Sequence, residues 1–310
     1  MSNKIGILLS NLGTPEAPTE RAVRQYLAEF LSDPRVIQLP KILWWPILHG
    51  IILRTRPKRS AHAYEQVWTE QGSPLLAITN RQAKALQQSL GEGYEVVVGM
   101  RYGKPNIANA LQQLQAAGVE SIVVLPLYPQ FSYTTTQSNL DQVPLSSVKA
   151  ICCYYNHPLY IQALANTVKI HWQQHGQADQ LILSYHGLPQ AYVDRGDPYY
   201  DQCLETSRLL IDALQLKPEQ YRVTFQSRLG RQKWLQPYTA LTMQQLPQQG
   251  VKSLQVICPG FSADCLETLE EIKLQNREFF IKAGGERFEY IPALNDSPEH
   301  IAMMVALIGE

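Results

Sequence analysis

Three stretches of this sequence set chemically capable side chains directly behind short apolar runs. In Ser184-Tyr185-His186-Gly187-Leu188-Pro189 a histidine closes such a run, and Gly187 and Pro189 force the chain to turn. Imidazole accepts a proton near neutral pH and ligates a borderline metal such as Fe2+. The same ring could equally do no more than hydrogen-bond within its turn. In Cys258-Pro259-Gly260-Phe261-Ser262-Ala263-Asp264-Cys265-Leu266-Glu267-Thr268-Leu269-Glu270-Glu271 another run ends and a helical pattern starts, with Ser262 and Asp264 as candidate N-caps. Glu267 and Glu271 are four apart and share a helix face. Stacked carboxylates beside a crevice pass protons or hand on a cation, although acids in a first helical turn also suit the helix dipole. The dipole accounts for Glu270 and much of Glu271, but not for Glu267 and His186 ending strands of the same predicted half. The third stretch, residues 224–235, carries Ser227, Arg228, Arg231 and Trp234. Paired guanidinium donors and an indole face suit a flat aromatic ligand bearing carboxylates, and a solvated basic loop fits them too.

A fourth group lies nearer the N-terminus: Ser10-Asn11-Leu12-Gly13-Thr14-Pro15, Gln71-Gly72-Ser73-Pro74-Leu75, Met100-Arg101-Tyr102-Gly103 and residues 125–132. Its glycines follow neither dinucleotide nor P-loop spacing, so nucleotide binding has no motif behind it. NLGTP reads as a tight turn after the first strand. Arg101 is either a carboxylate anchor or a solvated strand-end cation.

The elements that must position these residues alternate between short β-branched runs and longer helical patterns. Strands are expected at 5–9, 95–99, 121–127, 148–154, 181–185, 222–225, 254–257 and 288–291, and helices at 79–90, 107–117, 160–174, 266–283 and 297–308. Several strands are apolar almost throughout, as parallel strands covered on both faces are. The strands fall into two groups of four with a break near 156–158, which predicts an α/β chain of two Rossmann-like halves. We place the first domain at 1–156 and the second at 157–294, with a C-terminal helix at 295–310 folding back on the first. In open α/β sheets ligands bind beyond the carboxyl ends of the strands, where all four groups lie.

Composition narrows the function. The chain of 310 residues is 45% hydrophobic, and its 27 basic residues balance its 27 acidic ones. Nucleic-acid binding normally needs a basic excess, so no nucleic-acid partner is expected. The five cysteines, Cys152, Cys153, Cys203, Cys258 and Cys265, form no CxxC pair, which argues against a disulfide framework or zinc knuckle. The N-terminal residues lack signal-peptide features, so a cytoplasmic location is expected. The apolar run 42–53, ILWWPILHGIIL, falls short of the roughly 20 residues a membrane span needs. With Arg54, Arg56, Lys58 and Arg59 behind it, it reads either as a segment dipping into a membrane surface or as a core helix before a solvated loop.

Taken in order, NLGTP, FLSDPRVI, GSPL, MRYG, LPLYPQFS, SYHGLP, TFQSRLGR and PGFSADCLETLEEI resemble the ferrochelatase family over nearly the whole chain. The wording is most similar to the proteobacterial branch that uses protoporphyrin IX. The resemblance implies two Rossmann-like domains, each with a four-stranded parallel sheet flanked by helices, facing a porphyrin cleft. It implies insertion of Fe2+ into protoporphyrin IX, the terminal step of haem biosynthesis. By resemblance His186 matches the family's essential histidine, Glu267 its essential glutamate and Glu271 the next acidic position. His186 and Glu267 together form a sparse metal site that could release Fe2+. Trp234 matches a pocket tryptophan, and Arg56, Tyr64, Ser73, Arg101, Tyr102 and Ser227 match positions near the ring or its propionates. Residues 42–59 match the lip that rests on the membrane in membrane-associated members. No permanently bound cofactor and a monomeric state are expected.

Three departures from relatives sharpen these expectations. No cysteine follows Cys265, so no [2Fe–2S] cluster is expected. Vertebrate members carry a second histidine where this chain has Cys265. Leu12 stands where coproporphyrin-using members typically carry tyrosine, which favours protoporphyrin IX. The rival functions are a cobalt or nickel chelatase acting on a sirohydrochlorin-type ring, a non-catalytic porphyrin or haem carrier, and a nucleotide-dependent Rossmann enzyme.

Overall fold

A computed structural model describes residues 4–144, 148–230 and 232–310. Arg231, one of the basic residues of the third stretch, and the first three residues lie outside the described set. Contacts divide the chain into two units. One comprises Met1–Tyr128, Ser132–Cys153 and Ile301–Glu310; the other comprises Pro129–Phe131 and Tyr154–His300.

The first unit is built on β1 (Ile5–Gly13), β2 (Tyr94–Tyr102), β3 (Ser121–Pro126) and β4 (Val148–Ala150), all parallel, in the order β2-β1-β3-β4. Ile7, Leu8 and Leu9 of β1 and Val124 and Leu125 of β3 are 0% exposed, as continuous apolar runs under two helical layers require. β1 runs further than its apolar core predicts. Asn11 and Gly13 pair with Met100 and Tyr102, so NLG continues the strand and the turn begins only at Thr14. A Cβ on Gly13, at φ +109°, would lie 1.8 Å from the Tyr102 carbonyl oxygen, so only glycine lets these strand ends close up. β4 stops at Ala150, well short of the expected residue 154.

The basic stretch behind the apolar run is helical, within Leu53–Val67, although Pro57 lies inside it. Proline has no N–H for the carbonyl four residues back, which is that of Leu53. The Arg24 Nε–H donates to that carbonyl instead, at 2.9 Å, and satisfies the group the proline orphans.

The second unit repeats the strand order. β5 (Gln180–His186), β6 (Tyr221–Gln226), β7 (Ser253–Ile257) and β8 (Arg287–Tyr290) run parallel as β6-β5-β7-β8. The helix expected at 266–283 is instead a ten-residue π-helix, Glu267–Asn276, followed by an α-helix, Arg277–Lys282. Neither Ser262 nor Asp264 caps it. Ser262 shares a hydrogen bond of 2.5 Å with the Tyr154 hydroxyl. The Asp264 carboxylate accepts from Thr268, Tyr290 and Asn295.

His300, fully buried near the start of the helix Pro298–Gly309, bears on stability. Its Nδ1–H donates to the Asn295 carbonyl at 2.6 Å, which leaves Nε2 buried with no partner among the described residues. Burial depresses the ring's pKa to about 4. The unfolded chain therefore takes up a proton below pH 6.5 that the folded chain refuses until about pH 4, and stability falls as pH drops through that window. A shift of this size corresponds to about 3 kcal/mol. We expect His300→Gln to flatten the loss of stability between pH 7 and 4.5 by about 2–3 kcal/mol in urea unfolding. Parallel pH profiles for the two proteins would refute this assignment.

Candidate active site

The carboxyl ends of β5, β6 and β7 bring together most of the residues singled out in the second half of the sequence. His186 is the last residue of β5 and pairs in register with Gln226, the last of β6. Its Nδ1 lies 2.7 Å from the Gly187 carbonyl oxygen. A carbonyl only accepts, so Nδ1 carries the hydrogen, and in the neutral ring the lone pair that a base or metal ligand needs is on Nε2. Gly187 is required there, since a Cβ would come within 2.7 Å of the Gln226 carbonyl oxygen.

Glu267 opens the π-helix, and its backbone carbonyl accepts from Gln226 Nε2 at 2.8 Å. The π-helix advances about one residue more per turn than an α-helix, so residues four apart still lie close together. Burial pushes the Glu271 carboxyl above its ordinary pKa despite the donors of Ser227, and the nearby charges of His186 and Glu267 act on it in opposite senses. Both groups thus lie within electrostatic reach of Glu271. Ser227, at φ +66°, donates its backbone N–H to Glu271 Oε1 at 2.7 Å and its hydroxyl to Oε2. Trp234 is 8% exposed, with its indole N–H donating to the Leu229 carbonyl at 2.7 Å. Its residue bridges to Pro189 behind the His186 turn. The neighbouring thiols of Cys258 and Cys265 are buried, and burial pushes both well above the ordinary thiol pKa. Among the described residues, no group of three or more His, Cys, Asp or Glu side chains could hold a metal ion.

The first unit gathers a second set. Leu12 lies near the end of β1, half-buried. Ser73 is buried and accepts from the Thr14 hydroxyl at 2.8 Å. Arg56 and Tyr64 share the helix Leu53–Val67; burial and the charge of Arg59 lower the Arg56 pKa, while Tyr64 packs edge-on to Trp68 at 6.0 Å. Arg101 and Tyr102 end β2, and both turn to a residue that sequence reasoning left without a role. Asp33 Oδ2 accepts from Arg101 at 2.5 Å, Tyr102 at 2.7 Å and Ser138 at 2.6 Å. Burial alone would raise the Asp33 pKa, but the Ser138 and Tyr102 hydroxyls, the Arg35 N–H and the Arg101 charge hold it below the usual range. Arg101 thus already has a carboxylate partner in its own unit. Asp33 stands in FLSDPRVI, where an acid between apolar residues and a proline is the only local signal.

A family model described as ferrochelatase matches residues 4–310. A ferrochelatase of Marinobacter nauticus is 51% identical over 320 residues, covering 99% of this chain and 86% of that protein. One from Aeromonas hydrophila is 53% identical over 319 residues, covering 99% and 98%. Among solved structures, the sirohydrochlorin chelatase SirB from Bacillus subtilis subspecies spizizenii, in complex with cobalt, superposes with a TM-score of 0.55 at 10% identity, covering 99% of this chain and 94% of that one. SirB from Bacillus subtilis with Fe3+ gives 0.51 at 11% identity, covering 99% and 95%. At such identities these structures speak to the chelatase-like fold alone.

Proposed function

The chain belongs to the ferrochelatase family and inserts Fe2+ into protoporphyrin IX as the terminal step of haem synthesis; from that premise we propose that His186, Glu267 and Glu271 carry the chemistry. The reaction replaces two pyrrole N–H protons by one Fe2+, so a base must reach the ring nitrogens and two protons must leave. The Gly187 carbonyl holds Nδ1–H of His186, so the neutral ring has the tautomer for this, with Nε2 as the accepting nitrogen. That is the observation on which the assignment rests. Glu267 and Glu271 lie on one helix and serve either to carry protons out or to bring the metal in. A pair of ligands at His186 and Glu267 would hold Fe2+ loosely enough to give it up, whereas a closed four-ligand cage would retain it.

Leu12, Arg56, Tyr64, Ser73, Arg101, Tyr102 and Trp234 are assigned to the ring and its periphery. Binding energy from there can offset the cost of distorting the macrocycle, which exposes the nitrogen lone pairs. The test is an anaerobic assay with Fe2+ and protoporphyrin IX, following loss of porphyrin fluorescence and growth of haem absorbance. Coproporphyrin III and sirohydrochlorin serve as competing substrates. Haem formation preferring protoporphyrin IX supports the assignment, and equal use of sirohydrochlorin would overturn the substrate choice.

The segment before the Leu53–Val67 helix is assigned to a membrane surface. Ile42 is 83% exposed, Leu43 and Trp45 62% and Ile51 57%, with exposed Arg54, Lys58 and Arg59 behind them. No helix among the described residues is long and apolar enough to cross a bilayer. Apolar exposure beside basic charge favours an anionic interface. Trp45→Glu should weaken binding to vesicles rich in phosphatidylserine by about tenfold in a sedimentation assay. Unchanged partition would remove this segment from the contact. The protein is further assigned to the cytoplasm as a monomer, for which gel filtration is the check.

A further inference from the structure

We infer that the corner formed by Gln226 and Ser227 is a positioning device for the two glutamates, and that Ser227 acts on the reaction through Glu271 and not through the substrate. The inference rests on the assignment of Glu267 and Glu271 as working carboxylates. It departs from the expectation, drawn from resemblance, that Ser227 lies against the ring or its propionates.

Gln226 is 2% exposed, and each of its polar atoms is committed. Its Oε1 accepts from the Ser184 hydroxyl at 2.7 Å and from the Cys258 thiol at 3.7 Å. Its Nε2 donates to the Glu267 carbonyl, and its backbone carbonyl accepts the Gly187 N–H at 2.8 Å. One side chain therefore ties β5, the end of β7 and the first residue of the π-helix together, immediately beside His186. A buried amide with all its partners satisfied fixes a geometry more sharply than an apolar residue, since any shift strands a donor or acceptor.

Ser227 continues the device by one residue. Its backbone lies in the left-handed region that a non-glycine residue rarely adopts. The conformation turns the N–H and the hydroxyl toward the same carboxylate, one to each oxygen of Glu271. Gripped at both oxygens, that carboxylate cannot rotate about its last bond. The serine proton is spent on Glu271 and is not available to a propionate.

The test is a kinetic cycle of Ser227→Ala, Ser227→Gly, Glu271→Gln and the S227A/E271Q double variant, with Fe2+ and protoporphyrin IX. We expect S227A to lower kcat about tenfold with the porphyrin KM within about twofold, and S227G, which relieves the backbone, to do the same. S227A should add nothing in the E271Q background, because a residue acting only through Glu271 has nothing left to position. A raised porphyrin KM at unchanged kcat, or losses that multiply in the double variant, would overturn the proposal. E271Q at the wild-type rate would instead remove Glu271 from the chemistry. Positioning is then judged by a crystal structure of S227A, in which Glu271 either leaves its place, as proposed, or keeps it, which refutes the device. For Gln226, the Q226E variant keeps the acceptor toward Ser184 and replaces the donor toward Glu267. A wild-type kcat in Q226E would remove Gln226 from the device.

Discussion

His186→Ala should lower the rate of iron insertion about a thousandfold while leaving protoporphyrin binding within a few-fold, the loss expected when a positioned base is deleted. The fold should survive the change. The residue's backbone stays in the β5–β6 register, and among the described residues its ring hydrogen-bonds only to the adjacent Gly187 carbonyl. Loss of activity with an unchanged thermal midpoint would thus report chemistry and not collapse. Porphyrin binding, followed by fluorescence quenching, separates a failed reaction from a failed pocket. A variant within about tenfold of the wild-type rate would show that the proton leaves by another route.

Glu267→Gln should lower insertion by about a hundredfold, and its kinetic pattern carries the information. Gln226 holds the Glu267 backbone carbonyl, so the substitution leaves the corner intact and removes only the negative charge. If the carboxylate brings Fe2+ to the ring, the KM for Fe2+ rises and high iron restores part of the rate. If it takes protons away, kcat falls at saturating iron. Insertion within about threefold of the wild type under both conditions would exclude Glu267 from the reaction.

A strand forms at each of the eight expected positions, most legibly in β1 and β3, where a parallel strand covered on both faces is a near-continuous apolar run. The carboxyl-end positions of His186 and Ser227 followed from the same pattern, whereas Glu267 ends no strand and opens the π-helix well beyond the end of β7. Local signals failed where the deciding partner is remote. Residues 148–154 read as one apolar strand, yet only Val148–Ala150 pairs with β3. The helix Leu53–Val67 was hidden by Pro57, whose missing N–H is made good at the Leu53 carbonyl by Arg24, 29 residues before Leu53. Asp33 gathers donors 68 to 105 residues away, a separation no periodicity reports. The π-helix has no signature in residue type, since 3.6 and 4.4 residues per turn place Glu267 and Glu271 on nearly the same face.

The re-entry of Ile301–Glu310 into the first unit has a consequence for synthesis on the ribosome. Strands β1 to β4 emerge early and would ordinarily fold as soon as they clear the exit tunnel. Ile301, Met303, Met304, Leu307 and Ile308 nonetheless belong to that unit and are buried in the folded chain, and they are made only after the whole second sheet. The half of the molecule that is translated first is therefore completed last. While the second sheet is being translated, the apolar surface awaiting those side chains stays open to chaperones and proteases. A premature stop a few codons before residue 301 would leave every residue singled out at the ends of β1 to β8 in place and still deprive the nascent chain of its closing piece.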